Sequence, residues 1–243
     1  MNIKNVNNIF TNSSNYIDLG YFELDEDVSF GSNSNYLFSS IKIPTDYTLT
    51  INPGDNIKLS GDIEVLGSLK TLGQSGSRIN IGPADDYWGG IYFSNSSGSE
   101  FSYTDFSFGN NSSFGPDRNH RGMINLDNSS LLVNNSDFLD ASRPKNMIYL
   151  KQNSVLNMAD SSIYWSTTTT ENNICGIYSL DSQLGLDNVS FTNMDYGVYT
   201  DDSGLDIVDM PDTNFSQINI LNYYPESLIS ESFNTTSTTS TPQ

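Results

Sequence analysis

Apolar residues in this chain come in short runs of period two rather than in helical stripes. Over the first hundred residues Tyr47-Thr-Leu-Thr-Ile51, Ile57-Lys-Leu59, Ile63-Glu-Val65, Leu69-Lys-Thr-Leu72 and Ile79-Asn-Ile81 alternate apolar with polar and break at Gly, Pro or Asp. Such runs predict half-buried strands, because successive side chains on a strand point to opposite faces. Beyond them one strand recurs five times: Trp88-Gly-Gly-Ile91-Tyr92-Phe93, Gly122-Met-Ile124-Asn125-Leu126, Asn146-Met-Ile148-Tyr149-Leu150, Cys175-Gly-Ile177-Tyr178-Ser179 and Tyr196-Gly-Val198-Tyr199-Thr200. The steps from Ile91 to Ile124, Ile148, Ile177 and Val198 are 33, 24, 29 and 21 residues. Each copy is followed by a Ser-containing turn and a second strand (Glu100 to Tyr103, Leu131 to Val133, Val155 to Met158, Gln183 to Leu186, Gly204 to Ile207), and then by an apolar residue at Phe106, Phe138, Ile163, Phe191 and Phe215.

Three strands per unit, each too small to bury its own face, must stack on the neighbouring units to make a core. The pattern therefore predicts an all-β coil of parallel strands over residues 46–212. Residues 1–45 and 213–233 lie outside the repeats and are expected to cap its ends, since an open coil would otherwise present unpaired backbone. Residues 234–243, a Thr/Ser tract, are expected to be a tail or linker.

The run Thr48-Leu-Thr-Ile-Asn-Pro-Gly-Asp, the Trp88-Gly-Gly-Ile91 segment and the later Gly-Ile-Tyr copies resemble right-handed parallel β-helix proteins of the pectin-lyase-like superfamily, above all the repeat-bearing surface proteins of microbes and viruses. The resemblance covers roughly residues 45–215 and implies a right-handed solenoid. Its implication for activity is open, because that architecture carries lyases, hydrolases, phage tailspikes, adhesins and structural fibres.

Charge narrows the function classes. The chain has 29 acidic and 10 basic residues in 243, a formal charge of −19. The 92 residues after Lys151 hold twelve carboxylates and no Lys, Arg or His, which argues against nucleic acid as a partner. No stretch approaches the ~20 apolar residues of a membrane helix. Cys175 is the one thiol, so no intrachain disulfide can form, and its apolar neighbours Ile174 and Ile177 mark it as a small core residue. The 30 Asn and 37 Ser residues favour turns over helix interiors. They also create sequons, among them Asn95, Asn128, Asn134, Asn188 and Asn214, which permit glycosylation in a secreting host.

Candidate chemistry falls in four places. The stretch 110–122 accounts for the longest repeat step and groups Asp117, Arg118, His120 and Arg121; with Asp85 or Asp86 ahead of the Trp-Gly-Gly strand it would be the site of a lyase or hydrolase, and a loop salt bridge is the plainer reading. Asp201, Asp202, Asp206, Asp209 and Asp212 form an acidic cluster that would hold calcium or simply face solvent. Finally, alternation sets Tyr92, Asn125, Tyr149, Tyr178 and Tyr199 outward in one column beside Trp88. That aromatic ladder would be a platform for a glycan or a partner protein, or rings that only shield the sheet. The expectation is a noncatalytic extracellular module on a cell surface or virion, a rigid spacer and adhesin without cofactor. A polysaccharide lyase or depolymerase and a self-assembling fibre subunit stand as alternatives.

Overall fold

The computed structural model describes residues 10–11, 15–110, 122–141, 146–166, 174–200, 207–210 and 212–224. Every named element among them is a β-strand, and every pairing between strands is parallel except Phe10–Thr11 against Ile17–Glu23. The strands fall into three ladders. The first contains the start of Asn35–Ile43, then Asn56–Leu59, Ile79–Pro83, Thr104–Ser107, Asp137–Leu139, Ser162–Tyr164 and the starts of Ser190–Thr200 and Asn214–Tyr224. The second contains the end of Asn35–Ile43, then Asp62–Val65, Gly90–Ser94, Gly122–Asp127, Asn146–Lys151, Cys175–Ser179 and the ends of the same two long strands. The third runs through Val28–Ser29, Thr48–Ile51, Ser68–Leu72, Ser99–Ser102, Ser130–Asn134, Val155–Ala159, Gln183–Asp187 and Ile207–Asp209.

From Asn35 onward the chain visits the ladders in one fixed rotation, first, second, third, first. Because Asn35–Ile43 and Ser190–Thr200 each run through the first two ladders, the hydrogen-bonded neighbours of those ladders close a ring of 12 strands, and the third ladder is a separate 8-stranded sheet. Register puts like upon like. Ile91, Ile124, Ile148, Ile177 and Val198 align in the second ladder, and Phe106, Phe138, Ile163, Phe191 and Phe215 in the first. These columns, with Phe101, Val133, Met158 and Leu186 from the third, make one core in which most side chains have no exposure. Phe106 and Phe138 stack with ring centroids 5.0 Å apart.

The ends differ from expectation. Ile17–Glu23 pairs in parallel with Asn35–Ile43, and Val28–Ser29 with Thr48–Ile51, so the described part of the supposed cap 1–45 carries one more turn of the same ladders and, with Asn35–Ile43, begins the next. Asn214–Tyr224 likewise adds a turn where the cap 213–233 was expected to begin. Register shifts at Asp18 and Gly20 break the two-residue alternation there, which hides the first strand from a pattern search. The tail 234–243 lies outside the described residues.

At two corners of most turns the chain places an Asn or Asp with positive φ, followed by an inward Ser or Thr: Asn95-Ser96, Asn128-Ser129, Asn153-Ser154 and Asp181-Ser182 at one, Asn135-Ser136, Asp160-Ser161 and Asp212-Thr213 at the other. Asn and Asp tolerate the left-handed region best after Gly. The turn leaves a backbone N–H inside, and the next turn's hydroxyl receives it. Ser96 N donates to Ser129 Oγ at 3.0 Å, Ser129 N to Ser154 Oγ at 3.1 Å, Thr104 N to Ser136 Oγ at 3.1 Å and Ser136 N to Ser161 Oγ at 3.0 Å. Each hydroxyl then donates to a carbonyl of its own turn, as Ser136 Oγ does to Asn134 O at 2.9 Å. Ser136→Ala leaves the buried Thr104 N–H without its acceptor, and is expected to lower stability by about 1–3 kcal/mol with an unchanged urea m-value.

Candidate functional site

The outward face of the first ladder becomes shallow where three turns meet. Register sets Leu37, Lys58 and Gly82 side by side on Asn35–Ile43, Asn56–Leu59 and Ile79–Pro83. A Cβ at Gly82 would stand 2.8 Å from Ser107 Oγ and 3.6 Å from Lys58 Nζ, so the bare glycine lets the ammonium lie along the sheet. Beside it lies an open groove of about 1040 Å³, lined by Lys58 and Ser107 with Tyr16, Asp18, Asp85, Asp86 and Phe108. Its volume is of the order of small-ligand clefts, roughly 300–1,000 Å³.

Two walls have different origins. Tyr16 and Asp18 come from the first described turn, where Tyr16 Oη accepts from Asn56 Nδ2 at 2.7 Å and Asp18 Oδ1 accepts from Gly20 N at 3.1 Å. Asp85 and Asp86 lie on the exposed segment that leaves Ile79–Pro83, while Trp88 turns the chain back inside. Ion pairs among the described residues are Lys42–Glu23, Arg78–Asp105, Arg78–Asp137 and Lys151–Asp127. Lys58, Asp85 and Asp86 belong to none of them, so their hydrogen-bonding capacity faces the groove and solvent.

Phe108 stands out at the rim. It is 40% exposed and has φ +55, a region costly for a bulky side chain. Its backbone is clasped on both sides, with Phe108 N donating to Leu139 O at 3.1 Å and Trp88 N donating to Phe108 O at 3.2 Å. The same corner on later turns carries Asp140, Trp165 and Asn193, of which Asp140 and Asn193 have positive φ and Trp165 is buried. The Asp140 and Asn193 side chains bond to a neighbouring turn: Asp140 Oδ1 accepts from Ser166 N at 2.7 Å on the turn after, and Asn193 Nδ2 donates to Trp165 O at 2.9 Å on the turn before. Phe108 does neither.

The residues expected to form sites fare unequally. Asp85 and Asp86 line the groove. Asp117, Arg118, His120 and Arg121 lie outside the described residues, as do Asp201, Asp202 and Asp206. Of Asp209 only the backbone pairing with Gly185 is described, and Asp212 is an exposed turn residue with φ +53. Among the described residues no three His, Cys, Asp or Glu side chains are placed to hold a metal ion.

The aromatic column is present but closed. Tyr149 and Tyr178 rings lie 5.6 Å apart, and Tyr178 and Tyr199 stack at 4.8 Å. Tyr92 and Tyr149, however, are each only 5% exposed, and Asn125 between them is buried, holding Gly122 at both N and O. Tyr92 Oη donates to Asp127 Oδ2 at 3.0 Å, beside the Lys151–Asp127 pair at 2.9 Å. Trp88 has no exposure at all and donates Nε1–H to Ser107 O at 2.8 Å. The open platform expected at Tyr92, Tyr149 and Trp88 is therefore corrected: alternation reports the face of the sheet a ring leaves from, not what lies over it. Only Tyr178 and Tyr199 are half-buried. Asp18, Lys58 and Phe108 were not among the expected site residues. The signal at Phe108 was faint in the sequence, because later turns carry Asp140, Trp165 and Asn193 in the same corner.

Two outcomes follow from burial. Tyr149→Ser removes a ring from an enclosed stack and is expected to destabilise the fold by roughly 3 kcal/mol or more, read as a lower urea midpoint. Cys175, whose thiol burial pushes far above its ordinary range, donates weakly to Ile177 O. It should ignore Ellman's reagent at pH 8 in the folded chain and react fully once guanidinium unfolds it.

Comparison with family models, with curated proteins and with solved structures returned no match to this chain, so the reading of the groove rests on its geometry alone.

Proposed function

We propose that the chain is a right-handed parallel β-helix of the pectin-lyase-like kind, a noncatalytic module exposed on a cell surface or virion that serves as a rigid spacer and binds glycans. The observation that carries this reading is the fixed rotation through three in-register ladders. Strand-to-strand crossovers between parallel strands are right-handed in nearly all proteins, and a coil built that way is stiff because each turn is bonded to the turns on both sides. The long side of such a rod offers flat, polar ladders for recognition, and here the groove at Lys58 lies along one of them. Exposed sequon asparagines at Asn95 and Asn128 suit a chain that meets the outside of a cell.

One observation favours a second reading, a polysaccharide lyase or depolymerase: Asp85 and Asp86 share the groove with an ammonium, Lys58. The two readings differ in turnover. Incubated with glycans that it retains on an array, the soluble chain is expected to release no new reducing ends and no unsaturated product absorbing near 235 nm. Product that accumulates in proportion to protein and time would establish the enzyme and end the noncatalytic reading.

A further inference from the structure

The groove has a definite chemical preference, and its charges decide it. Three carboxylates, Asp18, Asp85 and Asp86, stand around a single ammonium, Lys58, which is a formal −2 within a chain of −19. A uronate or sulfated chain entering there would meet net repulsion from the groove and from the molecule as a whole. A cation would meet the opposite field but would find Lys58 in the lining. Carboxylates also accept strong hydrogen bonds from hydroxyl groups. Lys58 Nζ and Ser107 Oγ supply donors beside them, and the Phe108 ring supplies an apolar face at the rim. An uncharged polyol with one face of C–H groups and hydroxyls around its edge satisfies every part of that set.

We propose that this groove is a binding site for a neutral saccharide, with Phe108 stacking on a sugar ring, Asp85 and Asp86 accepting from its hydroxyls and Lys58 donating to them. This rests on the reading of the chain as a noncatalytic glycan-binding module and gives that reading its site and its ligand class. Phe108 supplies independent support. On later turns the left-handed backbone at this corner is held by Asp140 and Asn193, while the aromatic in the column, Trp165, lacks positive φ and is buried; Phe108 alone combines the left-handed backbone with an aromatic ring in solvent. Strain held at an exposed position points to a role outside the fold. Nothing in the core needs that ring, since Trp88 and Phe106 already fill the interior at this turn.

The substitution that separates function from fold is Phe108→Asn. The fold tolerates Asn at this corner, so the variant should unfold at the same or a higher temperature than the parent. The experiment measures binding of the full chain, by calorimetry, to neutral hexaoses of glucose, mannose, galactose and N-acetylglucosamine, with polygalacturonate and heparin alongside. The expected result is that at least one neutral hexaose binds, that Phe108→Asn weakens it at least tenfold, that the double change Asp85→Asn with Asp86→Asn does the same, and that the two acidic polymers bind more weakly than the best neutral sugar. Binding of a neutral hexaose that both variants leave intact would overturn the groove assignment and leave the glycan-binding module standing. So would preferential binding of polygalacturonate or heparin. No binding to any of the six would overturn this proposal and the glycan-binding reading together.

Discussion

The hydroxyl relay at the corners is the constraint from which the rest of the architecture follows. A strand that must turn every few residues leaves backbone N–H groups facing the core, and an orphaned one is costly to bury. Here the Oγ of Ser129, Ser136, Ser154 or Ser161 on one turn takes the N–H of the turn before and passes its own proton to a carbonyl. The relay works only if each corner residue stands directly over its counterpart. Register in this chain is therefore held by the corners as much as by the strands, and repeat steps as different as 33 and 21 residues still deliver Ile91, Ile124, Ile148, Ile177 and Val198 to one column. The extra length falls in the connections from the first ladder to the second, away from both corners that carry the relay.

Parallel stacking in register has a penalty that a cation answers. It sets Asp105 on Asp137, and like charges directly opposite destabilise a sheet. Arg78 lies against both, donating Nε–H to Asp105 Oδ1 at 2.9 Å and Nη2–H to Asp137 Oδ2 at 2.7 Å, while Nη1–H reaches Asn135 O at 2.9 Å. Its guanidinium pKa rises chiefly through the bond to Asp105. Lys151 pairs with Asp127, its register partner in the second ladder, and Lys42 with Glu23, its register partner nearer the start. Arg78, Lys151 and Lys42 are thus committed to carboxylates of neighbouring strands, whereas Lys58 lies in no ion pair and beside a bare glycine. That lysine lines the groove.

How much of this the sequence carried depends on whether a feature is local or assembled. The Gly-Ile-Tyr copies and the Phe106 to Phe215 column were legible because a strand and its apolar residue lie within five positions of each other. The first turns were less so. They use a carboxylate in place of hydroxyls: Asp55, with no exposure, accepts from Ser34 N and Asn52 N at 3.0 Å each. A search for Asn-Ser corners passes over them. Burial raises the Asp55 pKa against those two bonds, which mark the carboxylate as a structural cap. The groove was legible only in part, since Tyr16, Lys58, Asp85 and Phe108 are separated by long stretches of chain that nothing but the stacking of turns brings together.

The same reasoning explains why recognition would sit in the first ladder and not on the tyrosine column. Side chains that face out of a sheet either lean on their neighbours one turn up and down or stay free for a ligand. Rings of equal size stacked 4.8–5.6 Å apart lean on each other, as Tyr149, Tyr178 and Tyr199 do, and the contact that steadies them uses the surface a ligand would need. A change of residue size along a column does the opposite. Leu37 and Lys58 are followed by a glycine, Gly82, with Ser107 against it, and the column loses its side chain at the third turn. On a surface made of repeats, a binding site is a break in the repetition, and Gly82, Lys58 and Phe108 each break it at the same place.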